Sequence, residues 1–181
     1  MGYRHRREDM LAAAVDVARA EGLSSLSFGR VARQVGTNDR TVVYYFPTKA
    51  DLIGAVLLTL GEELQALLAE AFGEQPIPPD DLVKRAWPAL ARPDSQPIFA
   101  LFFEIIGLAA VGATPYDVLA PAMLEQWLAW LEPRLAVDDP VERRAHALAV
   151  LARIDGLLLL RTIAGSEAAQ EAARVSGLTD R

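Results

Sequence analysis

The sequence predicts an all-α protein of about nine helices, three short ones at the N-terminus and a larger helical region after them. Three observations lead there. Apolar residues recur at intervals of three and four through most of the chain, the period of one helix face. Breakers stand between these runs, at Gly22, Gly36, Pro47, Pro76 to Pro79, Pro93 and Pro97, Gly112 and Pro115, Pro133 and Pro140, and Gly165 and Gly177. The one stretch that favours strand, Thr41 to Phe46, has no alternating neighbour to pair with. A lone strand leaves its backbone groups unsatisfied, so a short helix is expected there instead.

Taken in order, the first helix spans 6–22, with Met10, Leu11, Ala14, Val17 and Ala18 on one face and Gly22 as its stop. Ser27 is a natural N-cap for a second helix, in which Phe28, Val31, Ala32 and Val35 share a face before Gly36 ends it. Asn38 caps a third short helix that Pro47 terminates. Thr48-Lys49-Ala50-Asp51 opens a long fourth helix, running to about Phe72, through a capping box with Asp in place of Glu. Further helices are expected at 80–91, 95–111, 115–136, 140–164 and 167–176.

Composition narrows the function. The 181 residues are 52% apolar and 23% charged, as in globular proteins. The absence of cysteine excludes disulfides, thiolate metal sites and cysteine nucleophiles. The basic start, Met1 to Arg7, is followed by mixed acidic and apolar residues, so no secretion signal is expected. The apolar stretch from Ile98 to Gly112 is too short to span a bilayer and contains Glu104, which points to a buried helix and no membrane partner. With only His5 and His146 as histidine bases, no cluster of metal ligands and no phosphate-cradling glycine loop, an enzyme is not expected, nor is any cofactor or metal. The net charge of −6 hides an asymmetry: residues 1–50 carry eight Lys/Arg against five Asp/Glu, and residues 51–181 carry ten against nineteen. Such a split is expected when one segment alone meets a polyanion.

The second and third helices carry the function. Gly36 can take a left-handed conformation and let the two helices cross steeply, which presents the start of the third helix outward. That is how helix-turn-helix proteins dock in the major groove. The run from Val31 to Lys49 resembles the DNA-binding signature of the TetR family. Ala32 with Gly36, then Thr41, Tyr45-Phe46-Pro47 and Lys49 stand at that family's spacing, and Ala20-Glu21-Gly22-Leu23 resembles its first-helix ending. The likeness is strong over about residues 6–60 and architectural beyond. It implies a DNA-binding domain over 1–50 and a helical ligand-binding and dimerisation domain over 51–181.

It also implies roles. Ser27 and Lys49 resemble phosphate contacts, the lysine helped by the dipole of its helix. Tyr44 is the favoured outward contact beside Tyr45, and Phe46 belongs to the core. Asn38 caps the recognition helix, on which Asp39, Arg40 and Thr41 face the groove, with Arg40 suited to guanine O6 and N7. Two residues depart from the family pattern. Val43 stands where a large aromatic is usual, which suggests local repacking, and Asp39 sets an acid on the reading end, where it either accepts from a cytosine N4 or stabilises its own helix. Arg4, His5, Arg6 and Arg7 form either an arm on DNA or a solvated tail, and Arg30 and Arg33 are surface residues near DNA.

In the C-terminal region, the helix from Val141 to Ala164 carries small and branched apolar residues all round, as a helix buried on several sides does. The family places a dimer seam on the last two helices, here with Leu148, Ala152, Asp155, Leu157 and Arg161 as candidates. The candidate effector pocket holds Trp87, Phe99, Phe103, Glu104, Tyr116, Met123 and Trp127, although aromatics at helical spacing are more often plain core. The resemblance therefore implies a cytoplasmic homodimeric repressor on double-stranded operator DNA, released by a small-molecule effector. The alternative is a helical scaffold that has lost DNA contact.

Overall fold

Side-chain caps start four of the eight α-helices among the described residues. Ser27 Oγ accepts from Arg30 N–H at 3.4 Å, and Asn38 Oδ1 from Thr41 N–H at 3.2 Å. Thr48 and Asp51 cap each other's backbone: Thr48 N–H donates to Asp51 Oδ2 at 2.9 Å and Asp51 N–H to Thr48 Oγ1 at 3.1 Å. Asp139 accepts from Val141 and Glu142 N–H at 2.8 and 3.0 Å. Each cap satisfies amides that the first turn of a helix leaves free.

The computed structural model describes residues 6–179. Among them run α1 (Arg7–Glu21), α2 (Phe28–Val35), α3 (Asp39–Tyr45), α4 (Lys49–Phe72), α5 (Pro79–Leu90), α6 (Gln96–Ala110), α7 (Tyr116–Leu131) and α8 (Pro140–Val175). Thr41 to Phe46 is helical up to Tyr45, as the isolation of that stretch predicted. Helix α8 is broken at Gly165, whose φ of 89° and ψ of 171° are not helical, so 140–164 and 166–175 are separate helical segments.

One boundary differs from the expectation. The helix predicted over 115–136 ends at Leu131, because Pro133 has no N–H to continue the ladder and Glu132–Arg134 tightens into a 3-10 turn. The chain then extends. Ile77 N–H donates to Arg134 O at 3.0 Å and Ala136 N–H to Ile77 O at 2.9 Å, an isolated parallel bridge with Ile77 and Leu135 both buried.

The chain forms two compact units. One is built from the residues up to Glu63 together with Ala100–Met123, the other from Leu64–Phe99 together with Leu124 onward. In the first, α1 packs on α2 and α2 on α3. Buried there are Met10, Ala14, Leu23, Leu26, Val31, Val42 and Phe46, and the same unit buries Leu52, Ile53 and Val56 of α4 and Ile105 of α6. Burying a side chain the size of Phe46 contributes about 1.5–3 kcal/mol. An ion pair between Arg19 and Glu63 links α1 to α4. By length and composition α4 could cross a bilayer, yet Leu52, Ile53, Val56 and Leu60 are buried and Glu62 and Glu63 interrupt it, as in a core helix.

In the second unit α5 packs along α8. Leu82, Val83, Ala86, Trp87 and Leu90 of α5 and Ala147, Val150, Ile154, Leu157 and Leu158 of α8 are all buried. Asp80 pairs with Arg153 on this seam, and Arg161 donates to Leu90 O at 3.0 Å, closing an otherwise free carbonyl at the end of α5.

Candidate nucleic-acid interface

The turn between α2 and α3 depends on Gly36. Its φ of 75° and ψ of 36° are left-handed, a conformation that costs a side-chain-bearing residue energy and costs glycine little. Gly36 N–H bonds back to Arg33 O at 3.3 Å and Thr37 N–H to Ala32 O at 2.8 Å, which satisfies the last carbonyls of α2. Asn38 then restarts the helix. Its cap leaves Asp39 and Arg40 exposed on the first turn of α3 while Val42, on the opposite face, is fully buried.

Each residue expected at the interface has a definite place. Tyr44 is 79% exposed and stands at the edge of the half-buried Tyr45, ring centroids 5.0 Å apart at 82°. Phe46 is buried, with the Arg7 guanidinium 4.9 Å from its ring centroid. Thr41 is half-buried, and its hydroxyl accepts from Thr37 Oγ1 at 3.1 Å and lies against the Asn38 cap, so it faces the turn as well as the groove side. Ser27 and Lys49 are exposed at the starts of α2 and α4. Val43 is 38% exposed, so the position where the family pattern has a large aromatic lies at the surface here and leaves no core void to repack. Of the basic N-terminal run, Arg4 and His5 lie outside the described residues, whereas Arg6 pairs with Glu8.

The charges sort themselves. Arg19 pairs with Glu63 and Arg30 with Glu21. Arg33, Arg40 and Lys49 have no ion-pair partner among the described residues and are exposed. Cations left without an internal partner are available to phosphate. Sequence reasoning gave Arg33 no such distinction, since pairing depends on which acids the fold brings near. Asp39 is exposed too, with its carboxylate beside Gly29 on α2: a Cβ at Gly29 would lie 3.5 Å from Asp39 Oδ2.

The candidate pocket residues divide between the units. Phe103, Glu104, Tyr116 and Met123 belong to the first, and Trp87, Phe99 and Trp127 to the second. Phe103 sits edge-on to Phe102, centroids 5.4 Å apart. Glu104 accepts from Leu23 N–H and Ser24 N–H, each at 2.8 Å. Burial would raise its pKa, but these donors outweigh it and hold the carboxyl below its ordinary value. Tyr116 is buried, its hydroxyl has no hydrogen-bond partner among the described residues, and burial together with the nearby Glu104 charge pushes its pKa up. Met123 is half-buried. In the second unit Phe99 and Trp87 are buried, the latter lining a cleft of about 1060 Å³ with Arg92, Glu171 and Arg174. Trp127 meets Trp130 edge-on at 5.5 Å, and Trp130 carries the Arg134 guanidinium 3.8 Å above its ring.

Of the candidate seam residues, Leu148 and Ala152 are exposed, whereas Leu157 is buried within the chain. Arg161 is engaged by Leu90 O. Asp155 is half-buried, and burial pushes its carboxyl up to about 6. Val141, Leu159 and Ile163 were missed by sequence reasoning. With Leu148 and Ala152 they form an exposed stripe spaced by sevens and fours along α8. That spacing was in the sequence, but apolar residues all round the helix concealed which face lies outside.

Comparison with known proteins gives this geometry a context. Residues 10–56 match the model of the bacterial regulatory proteins of the tetR family. No curated protein matches the chain. Among solved structures, a Rhodococcus protein described as a TetR-family transcriptional regulator superposes with a TM-score of 0.73 at 16% identity, over 96% of this chain and 98% of that one. A transcriptional regulator of Streptomyces coelicolor A3(2) is 27% identical, with a TM-score of 0.69 over 95% of this chain and 98% of that one. The multidrug binding protein EbrR, in complex with proflavin, is 24% identical, with a TM-score of 0.64 over 97% of this chain and 100% of that one.

Proposed function

We propose that the chain is a transcriptional regulator of the TetR type, a DNA-binding protein rather than an enzyme, which acts in the cytoplasm as a repressor, occupying a palindromic operator as a homodimer and leaving it when a small molecule binds; the match of residues 10–56 to the tetR-family model supports this. The observation that carries the reading is the outward α3, capped by Asn38 and flanked by the unpaired cations Arg33, Arg40 and Lys49. Arg40 reads a base edge, with Asp39 beside it as a second reader. Ser27, Tyr44, Tyr45 and Lys49 fix the module on phosphates, and Thr41 buttresses the turn. The domain that does this spans residues 1–50, and residues 51–181 bind effector and partner.

One such module reads only a few base pairs, so two copies on a two-fold axis are needed for affinity and register. The exposed apolar stripe Val141, Leu148, Ala152, Leu159 and Ile163 supports α8 as the seam. Its spacing of seven and four residues is that of helices packed side by side. A small-molecule effector is supported by EbrR, a multidrug binding protein solved with proflavin, and by the buried Tyr116 hydroxyl that a ligand would satisfy. The effector acts by favouring the DNA-incompetent arrangement by a few kcal/mol.

Selection of bound sequences from random duplex DNA, at a fixed and stated salt concentration, tests the reading. A palindrome with half-sites about one helical turn apart is expected. Enrichment of no sequence, or of a site without two-fold symmetry, would contradict it.

A further inference from the structure

Glu104 is the single charged residue of α6, set in an otherwise apolar helix. Its two oxygens are shared between consecutive amides of the turn after α1: Oε2 accepts from Leu23 N–H and Oε1 from Ser24 N–H, both at 2.8 Å. Gly22, at φ +86°, completes the cradle. A Cβ there would lie 3.0 Å from Oε2, so the carboxylate would have to shift to admit one, and the left-handed φ disfavours a side chain at residue 22 as well. Consecutive backbone N–H groups converging on one anion form a nest.

Tyr116 sharpens the point. Its hydroxyl is buried, without a partner among the described residues and near enough to feel the Glu104 charge, yet Glu104 bonds to the turn instead. The turn leads directly to α2. Leu23 and Leu26 are fully buried, and Ser27, three residues beyond Ser24, caps the first helix of the helix-turn-helix. The placement of Leu23 and Ser24 therefore sets where α2 begins and, through Gly36, where α3 points.

We propose that Glu104 is a positioning residue for DNA binding: from α6 it holds the α1–α2 turn, and with it the reading head, in the orientation that meets the operator. This rests on the operator-binding reading above. It also places the acid, an effector-pocket candidate by sequence, in charge of the DNA-binding module.

The test compares wild-type protein with Glu104→Gln, which keeps the shape but turns one acceptor into a donor facing an N–H, and Glu104→Asp, which keeps the charge but withdraws it by one methylene. Amide exchange at Leu23 and Ser24 reports the cradle, and affinity for the selected operator and for unrelated duplex DNA reports the head. In Glu104→Gln both amides should exchange at least about tenfold faster, since hydrogen bonds to a charged acceptor are among the stronger ones. Operator affinity should fall by about tenfold or more while affinity for unrelated DNA stays within about twofold, because phosphate contacts tolerate misorientation better than base contacts do. Glu104→Asp should fall between, and it answers the question should the glutamine variant not fold. Operator affinity unchanged in both variants, with the two amides deprotected, overturns the proposal alone. A wild-type protein that binds no DNA overturns the operator reading and this proposal together, and fast exchange of both amides in the wild type shows that the cradle itself is absent.

Discussion

Replacing Asp155 by Asn should make the protein more stable at neutral pH and leave it almost unchanged in mild acid. The carboxyl sits half-buried on α8 with its pKa pushed to about 6 by burial, against 3.8 for the ordinary group. The basic residues nearest in sequence are engaged elsewhere, Arg153 with Asp80 and Arg161 with Leu90 O. A raised folded-state pKa means that the native chain holds this proton more tightly than the unfolded chain does. Between pH 3.8 and about 6 the unfolded state sheds the proton first, so stability falls as pH rises through that window and levels off above it. At about 1.4 kcal/mol per pH unit, the ionised carboxylate costs on the order of 3 kcal/mol at pH 7 and above. Asparagine cannot ionise and escapes that cost. Thermal unfolding of both proteins, at one protein concentration because the Tm of an associating protein depends on it, should give nearly equal Tm values near pH 4. By pH 7.5 the variant should lead by roughly 5–10 °C, given about 2–4 °C per kcal/mol for a chain of this size. Parallel curves from pH 4 to 8 would refute the argument, and a variant less stable at pH 7.5 would mean that the carboxylate has a favourable partner across the seam.

Three further outcomes are expected. Lys49→Ala should weaken binding to all DNA sequences and lower the salt slope by about 1, while Arg40→Ala should relax preference at one base position; selection from random DNA with each variant decides, and uniform weakening by both would remove Arg40 as a base reader. Ile163→Asp puts a charge on a side chain that is 71% exposed in the single chain, so it should leave the helical circular dichroism intact and shift sedimentation from dimer to monomer; an unchanged dimer would place the seam elsewhere. Tyr116→Phe removes a buried hydroxyl that has no partner among the described residues, so the unfolding free energy from urea titration should hold or rise, by up to about 3 kcal/mol of desolvation relieved. A loss of stability would reveal a partner for that hydroxyl.

The N-terminal module was legible because its information is local. Caps at Ser27, Asn38 and Thr48, the stop at Gly36 and the terminator Pro47 act within a few residues of themselves, and each does in the structure what its chemistry predicts. The helical reading of Thr41 to Tyr45 followed from the absence of a strand partner, a property of the whole sequence that can be read without coordinates. Helix ends governed by tertiary pairing were less legible. Nothing near Pro133 announces that Leu135 leaves the helix to meet Ile77, since that bridge joins segments far apart in the chain.

By itself, then, the sequence determined the all-α class, the helix-turn-helix and its outward residues, because backbone sterics and capping are short-range. Only the tertiary structure decided which charges are spent and which are free. Arg30 and Arg33 stand three residues apart on α2, yet Glu21 neutralises the first alone. It decided that Leu157 is buried while Leu159 and Ile163 are exposed on a helix apolar all round. It also decided the partner of Glu104, an acid whose interruption of an apolar run was plain in sequence but whose two bonds reach some eighty residues back, to Leu23 and Ser24. Burial and pairing depend on what the fold brings together in space, and the pattern along one helix does not carry that.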